Sequence, residues 1–338
     1  MAKLTRMVSP LSRRSLLGGA AALAATGLLS ACGRGASDST PSGSGGWTFT
    51  DDTGVTVNLD APPAKIAGLN DAVASLWNYG ITPVGAFGQT SIADDVNFEG
   101  RDLSKVTELG GTYGEINVEK LANAAPDLIL THAYPLDSSG KIDPEKPFFG
   151  FKDLEQQKLV GEIAPIVALA MKGSATGVVD RTVEFAKSIG VTEATLAGPR
   201  EQYEAARTRL EQATKSGLTV MAVAAYQGEG VHIAKAPDDP ALRSYTELGL
   251  NYHDPGGSVY FWEQVSWENI GEHPVDVVLY SLRAMTGEQM LTQPTFAITP
   301  AAEAGQVFPW EFSSMDYVAQ ARALDNLAEN LERSRKVT

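Results

Sequence analysis

One pattern of residues occurs twice in this chain, once in each half. Asn117-Val118-Glu119-Lys120-Leu121 precedes Asp127-Leu128-Ile129-Leu130, and Ser266-Trp267-Glu268-Asn269-Ile270 precedes Asp276-Val277-Val278-Leu279, with Pro126 and Pro274 just ahead of the two apolar runs. Each copy places its Asp ten residues after its first residue and eight after its Glu. The physical content is the same both times: a side-chain oxygen caps a short helix, an acid sits in the first turn where the helix dipole favours it, and a buried strand follows. A length of 338 residues suits about two domains. The repeat therefore predicts two similar lobes facing each other across a cleft.

The stretches around each copy read as α/β. Trp47-Thr48-Phe49-Thr50, the turn Asp51 to Gly54 and Val55-Thr56-Val57 form a hairpin pattern. Lys65 to Leu69 and Pro83 to Phe87 are short apolar strands separated by a helical stretch from Asp71 to Tyr79. Strands alternating with helices of this length imply parallel pairing with right-handed crossovers. The second half repeats the plan with Leu218 to Ala225, a helix ending at Leu248-Gly249, the strand Val275 to Tyr280 and a terminal helix from Ser314, whose Tyr317, Ala321, Leu324, Ala328 and Leu331 form a helical stripe. Between the halves, Val179, Val183 and Ala186 mark one amphipathic helix stopped by Gly190, and Tyr203, Ala206, Leu210 and Ala213 mark another. Pro199 either starts that second helix or kinks a longer one from about Glu193. In both cases it makes a stiff rod.

The N-terminus reads as an address. Ser12-Arg13-Arg14-Ser15-Leu16-Leu17 opens an apolar run to Leu29, too short for the roughly 30 Å core of a bilayer. The paired arginines look like a twin-arginine export signal, and Leu29-Ser30-Ala31-Cys32 looks like a lipobox, which makes Cys32 the expected lipidated mature N-terminus. Gly33 to Gly46, mostly Gly, Ser and Thr, has the composition of a flexible tether. Cys32 is the only cysteine, so a disulfide framework and a Cys-rich metal site are excluded. The first 31 residues hold Lys3, Arg6, Arg13 and Arg14 and no acid, leaving 41 acids against 23 bases in the rest. Nucleic acid is a poor partner for such a surface.

Phe49, Asp52-Thr53-Gly54, Pro63-Ala64-Lys65-Ile66, Gly80-Ile81-Thr82-Pro83-Val84-Gly85, Gly110-Gly111, Asn117-Val118-Glu119, Pro126-Asp127-Leu128-Ile129 and Ser266-Trp267-Glu268 follow one another in an order that resembles the class III periplasmic-binding-protein family. Its members are solute receptors of ABC importers for ferric siderophores, haem and cobalamin. The resemblance implies two Rossmann-like lobes joined by a long interdomain helix, a shallow cleft with little closure, and one exposed Glu on each lobe that docks on the permease, here Glu119 and Glu268. The expected organisation is a signal peptide over 1–31, a tether over 32–46, an N-terminal lobe over 47–192, an interlobe helix over 193–216 and a C-terminal lobe over 217–338. The chain is expected to be a monomer anchored outside the cell membrane through lipid on Cys32.

In open α/β sheets ligands sit beyond the carboxyl ends of strands, which here points to Gln89, His132, Tyr134, Tyr226, Tyr280, Arg283 and Trp310, with Tyr113 and Trp262 on neighbouring loops. Aromatic side chains on irregular segments fit a bulky chelate. An anionic tris-catecholate or citrate complex would need several basic residues. Only Arg283 is clearly placed, with Lys235 and Arg243 less so, and this favours a ferric hydroxamate, to whose metal-bound oxygens Arg283 would donate. The siderophore then supplies every iron ligand, and the protein needs no cofactor. The alternatives are a haem receptor using His132, Tyr134 or Tyr226, a cobalamin receptor, and an exported enzyme on a Rossmann-like scaffold. His132, His232, His253 and His273 lack metal-ligand spacing, and neither G-x-S-x-G nor the phosphate-loop motif occurs. Gly228-Glu229-Gly230 matches a dinucleotide loop only weakly, lacking its third Gly.

Overall fold

The structure, a computed structural model, describes residues 46–338. The expected export signal, Cys32 and the tether up to residue 45 lie outside the described residues. The first element is the hairpin of β1 (Trp47–Thr50) and β2 (Thr56–Leu59), paired antiparallel. Asp51 builds its turn: one carboxylate oxygen accepts from the Thr53 and Val55 amides while the other accepts from the Ala168 amide, which docks the hairpin on the first lobe. Trp47 and Phe49 close over Phe185 in the core.

The first lobe is a five-stranded parallel sheet of β3 (Ile66–Leu69), β4 (Gly85–Phe87), β5 (Thr107–Gly110), β6 (Leu128–Ala133) and β7 (Ile166–Ala170), in the order β5-β4-β3-β6-β7. Its helices are α1 (Asn70–Asn78), α2 (Val118–Ala124), α3 (Leu154–Ile163) and α4 (Ala175–Ser188). The strand order reverses between β3 and β6, so the crevice of this doubly wound sheet opens beyond Leu69 and Ala133. Both strands are buried along their whole length, as expected where helices cover both faces.

The interlobe helix α5 (Glu193–Ala213) is continuous, with Pro199 inside it, and a 3₁₀ turn over Thr214–Ser216 follows. Thr192 caps it through the Thr195 amide. The second lobe contains β8 (Thr219–Tyr226), β9 (Gly230–Ala234), α6 (Pro240–Glu247), β10 (Asn251–Tyr252), β11 (Trp262–Val265), β12 (Val277–Ser281), three short helices α7 (Gly287–Leu291), α8 (Pro294–Ala297) and α9 (Pro300–Glu303), then β13 (Val307–Trp310) and α10 (Tyr317–Arg333). The sheet order is β11-β9-β8-β12-β13, with β10 also on β8.

The two lobes are less alike than the repeat implies. β9 runs antiparallel to both of its neighbours, β8 and β11, and Gly228-Glu229-Gly230 is the tight turn of the β8–β9 hairpin and no dinucleotide loop. Gly230 is required there: its φ is +104° and a Cβ would strike the Val265 carbonyl. Asn117 caps α2 as expected, accepting from the Lys120 amide at 2.8 Å. Ser266 does not cap; the second copy folds as a six-residue 3₁₀ helix, Trp267–Glu272.

The two repeat Asp residues do keep a common task. Asp127 accepts from the Ala64 and Lys65 amides and donates its own amide to the Lys65 carbonyl. Asp276 accepts from the Thr219 amide and donates to the Thr219 carbonyl. Each pins the base of its strand to the first strand of its own sheet.

A second tie joins the lobes besides α5. Helix α10 packs along α5, with Tyr203 against Tyr317 at 5.4 Å and Arg209 bridging Asp325 and Glu332. The start of α10 is held by the first lobe: Asn78 donates to both oxygens of the buried cap Asp316, the Tyr79 hydroxyl accepts from the Tyr317 amide, and Asn97 accepts from the Ser314 amide.

Candidate functional site

An open cleft lies between the carboxyl ends of the two sheets, with a cavity of about 290 Å³. The first lobe contributes Gln89 after β4, Tyr134 after β6 and Phe149 from the loop that crosses β6. The second contributes Ala224 and Tyr226 of β8, Tyr260-Phe261-Trp262 entering β11, Ser281 at the end of β12, Arg283, and Phe312 after β13. Seven of these residues are aromatic. Phe149 is fixed by two backbone bonds, its amide to the His132 carbonyl and its carbonyl to the Thr131 hydroxyl, and packs on Tyr134 at 4.9 Å.

Phe261 carries backbone strain. Its φ is +68°, which a bulky side chain rarely adopts. The Trp262 amide bonds the Tyr260 carbonyl across it, its own amide bonds Asp238, and its carbonyl accepts from the Lys235 amide. Strain of this kind persists only where surroundings impose it, and it clusters at ligand clamps.

The electrostatics turn on one ion pair across the lobes. Arg283 Nη2 lies 2.6 Å from Asp71 Oδ1, and its guanidinium sits 5.1 Å from the Phe312 ring centroid. Burial works against the charge on Arg283, but Asp71 more than offsets it and the pKa is raised. Asp71 also accepts from Asn97, which donates to Asp95 and to the Phe312 carbonyl. Burial, reinforced by Asp71, pushes the Asp95 carboxyl up, although Asn70 and the Asn97 amide hold it in place. The floor of the cleft is thus one cation among two acids.

The sequence-derived residues separate into three groups. Gln89, Tyr134, Tyr226, Trp262 and Arg283 line the cleft. Tyr113 stands at its edge, exposed, with its ring 5.3 Å from Phe149. His132, Tyr280 and Trp310 do not line it. His132 is 2% exposed and sits beneath, and burial lowers its pKa to about 4. Tyr280 packs against Gly287 in the core of the second lobe, because neighbouring strand residues face opposite sides and Ser281 takes the cleft side. Trp310 is buried behind Phe312, at 4.5 Å, and it is Phe312 that reaches the cleft.

Of the two uncertain cations, Lys235 is tied to Glu263 and the Val259 carbonyl, and Arg243 pairs with Glu247 on α6. Arg283 itself spends its charge on Asp71. Glu119 and Glu268 are exposed at the starts of their short helices, and the Glu268 carboxyl is lowered by its own amide and then by the Ser266 hydroxyl. Among the described residues no group of three or more His, Cys, Asp or Glu is disposed to hold a metal, and no helix is long and apolar enough to cross a membrane.

The sequence profile described as periplasmic binding protein matches residues 66–313, most of the chain. This chain belongs to the periplasmic binding protein family. That family consists of binding proteins, and its setting is extracytoplasmic. No curated protein matches the chain. Among solved structures, a ferric-siderophore receptor protein of Streptomyces coelicolor, DesE, is 30% identical over 86% of this chain and 100% of its own, with a TM-score of 0.76. The siderophore periplasmic binding protein from the fuscachelin gene cluster of Thermobifida fusca is 25% identical over 80% of this chain and 97% of its own, at a TM-score of 0.58. The triscatecholate siderophore binding protein FeuA of Bacillus subtilis, 15% identical over 86% of this chain and 99% of its own at a TM-score of 0.64, shares the fold.

Tyr260 and Phe261, on the same loop as Trp262 after Gly256-Gly257, belong to the aromatic segments that sequence points to, whereas Phe149, Phe312 and Asp71 are residues of this binding protein's site that it does not mark. Phe149 and Phe312 sit on irregular segments with no periodicity to mark them. Asp71 reads in sequence as an ordinary first-turn acid of α1, and only the fold brings Arg283 to it.

Proposed function

We propose that this binding protein is a lipid-anchored receptor that takes up a ferric siderophore of the hydroxamate class and hands it, chemically unaltered, to an ABC importer. The observation that carries the reading is the pairing of an aromatic-walled cleft with a single basic side chain whose charge Asp71 neutralises. A desolvated anionic tris-catecholate would find no free cation there, and unpaired buried charge is costly. A neutral or cationic trihydroxamate complex meets aromatic faces for its methylene linkers and polar groups at Gln89, Ser281 and Tyr226 for its oxygens. The ferric-siderophore receptor of Streptomyces coelicolor, at 30% identity, supports the ligand class. Cys32 would carry the lipid, and Glu119 and Glu268 would meet the permease.

The test is titration of the chain lacking residues 1–31 with ferric trihydroxamates, ferric tris-catecholates, haem and cobalamin, following quenching of Trp262. Saturable binding of the hydroxamates, recovered intact by mass spectrometry, is expected. Tight binding of one of the others with none of the hydroxamates overturns the proposal.

A further inference from the structure

Beneath the cleft lies a small chamber of about 20 Å³ that shares Tyr134 and Phe312 with it. That space is enough for one water-sized group. It is bordered by the first lobe at Asp71 and His132, and by the second at Asp239, Tyr245, Trp310 and Ser313. Three acids line it, and Asp71 is paired with Arg283 and Glu311 with Arg322, which leaves Asp239. Asp239 is 5% exposed and caps α6 through the Leu242 amide, and no salt bridge reaches it among the described residues. Burial raises its pKa to about 6, so it is ionised at neutral pH inside a ring of Tyr134, Tyr245, Trp310 and Phe312.

Two further observations point to a guest. His132 Nδ1 and Ser313 Oγ are buried and have no hydrogen-bond partner among the described residues, although His132 is 2% and Ser313 9% exposed. Buried polar atoms are nearly always satisfied. His132 is neutral at pH 7, so a ring nitrogen can accept. A carboxylate, an imidazole lone pair and a hydroxyl oxygen are three acceptors set among aromatic faces. Such a set is complementary to a group with three donors and a positive charge. The Trp310 indole N–H is likewise unpartnered and is a donor, so it would need a water alongside.

We infer that this chamber is a subsite for a primary alkylammonium group carried by the solute, with Asp239 as its counter-ion and His132 Nδ1 and Ser313 Oγ as its acceptors. This rests on the receptor reading above and narrows its solute to ferric trihydroxamates that end in an amine. No bond is made or broken. The ammonium head enters the chamber while the iron-bearing body stays in the cleft.

The experiment compares ferrioxamine B, a linear ferric trihydroxamate with a terminal ammonium, with its N-acetylated form, by titration at pH 7.5. The amine complex is expected to bind at least about tenfold more tightly. In Asp239→Asn, whose side chain still caps α6, the ratio is expected to fall towards one. A ratio near one in the unaltered chain overturns the subsite while leaving the receptor reading standing, and needs no variant. A preference that survives in Asp239→Asn overturns the assignment to Asp239. Failure of both complexes to saturate overturns the subsite, and the receptor reading falls with it only if the other ferric hydroxamates of the first titration fail as well.

Discussion

Arg283 and Asp71 come from different lobes, and neither has a surplus of partners. Breaking a buried pair from one side leaves an uncompensated charge, which costs about 3–5 kcal/mol. Asp71→Ala is therefore expected to lower stability by that order in urea denaturation and, in the surviving folded fraction, to shift solute preference towards anionic complexes. Asp239 and His132 give opposite pH signatures. The Asp239 pKa is raised to about 6, so the folded state holds its proton longer than the unfolded chain, and stability falls as pH rises from about 4 to that value. The His132 pKa is lowered to about 4. Its contribution is therefore present above the unfolded value of about 6.5 and is lost as pH falls towards the folded one. Asp239→Asn removes only the first effect. The solute-free variant should be more stable than the parent at pH 7, by about 3 kcal/mol, and this gain should vanish below about pH 4 in thermal melts taken across the range.

At the scale of elements, the repeat gains a meaning that its sequence does not state. The expected signature was a helix cap, yet Ser266 leaves its 3₁₀ turn uncapped while Asp127 and Asp276 both clamp strand bases. Asp276 has the larger share. It is fully buried and accepts from the amides of Thr219, Val337 and Thr338. Burial alone would raise its pKa, but those amides outweigh it and hold the pKa at about 2. Asp276→Ala should cost about 2–4 kcal/mol by denaturant titration, and Asp127→Ala, at an exposed position, distinctly less. An equal loss at both positions would contradict this account. Helix α5 was legible from the spacing of Tyr203, Ala206 and Leu210, all of which are buried. Whether Pro199 starts or interrupts it was not, because proline is compatible with either position and only packing against α10 selects the continuous helix.

For the molecule as a whole, the lobes meet at α5, at the segment leading into α10, at the Asp71–Arg283 bridge, and where α4 packs on α6 and the Ala175 amide donates to the Ser244 hydroxyl. The second and third tie the two lobes together beside the cleft. If Glu119 and Glu268 are the permease contacts, Glu119→Ala with Glu268→Ala should leave solute affinity in titrations unchanged and abolish uptake in cells. Retained uptake would place the contact elsewhere on the surface.

The α/β character, the paired halves, the helical rod and the strand-end position of the binding residues are written in local periodicity and turn chemistry, which short stretches of sequence carry by themselves. Tertiary structure alone decided that Ser281 faces the cleft while Tyr280 turns into the core, that Phe312 screens Trp310, and that Arg283 is neutralised by an acid 212 residues away. Side-chain direction at a strand end depends on register and twist, and the charge of a buried group depends on what the other lobe brings beside it. Neither is a property of nearest neighbours in the chain.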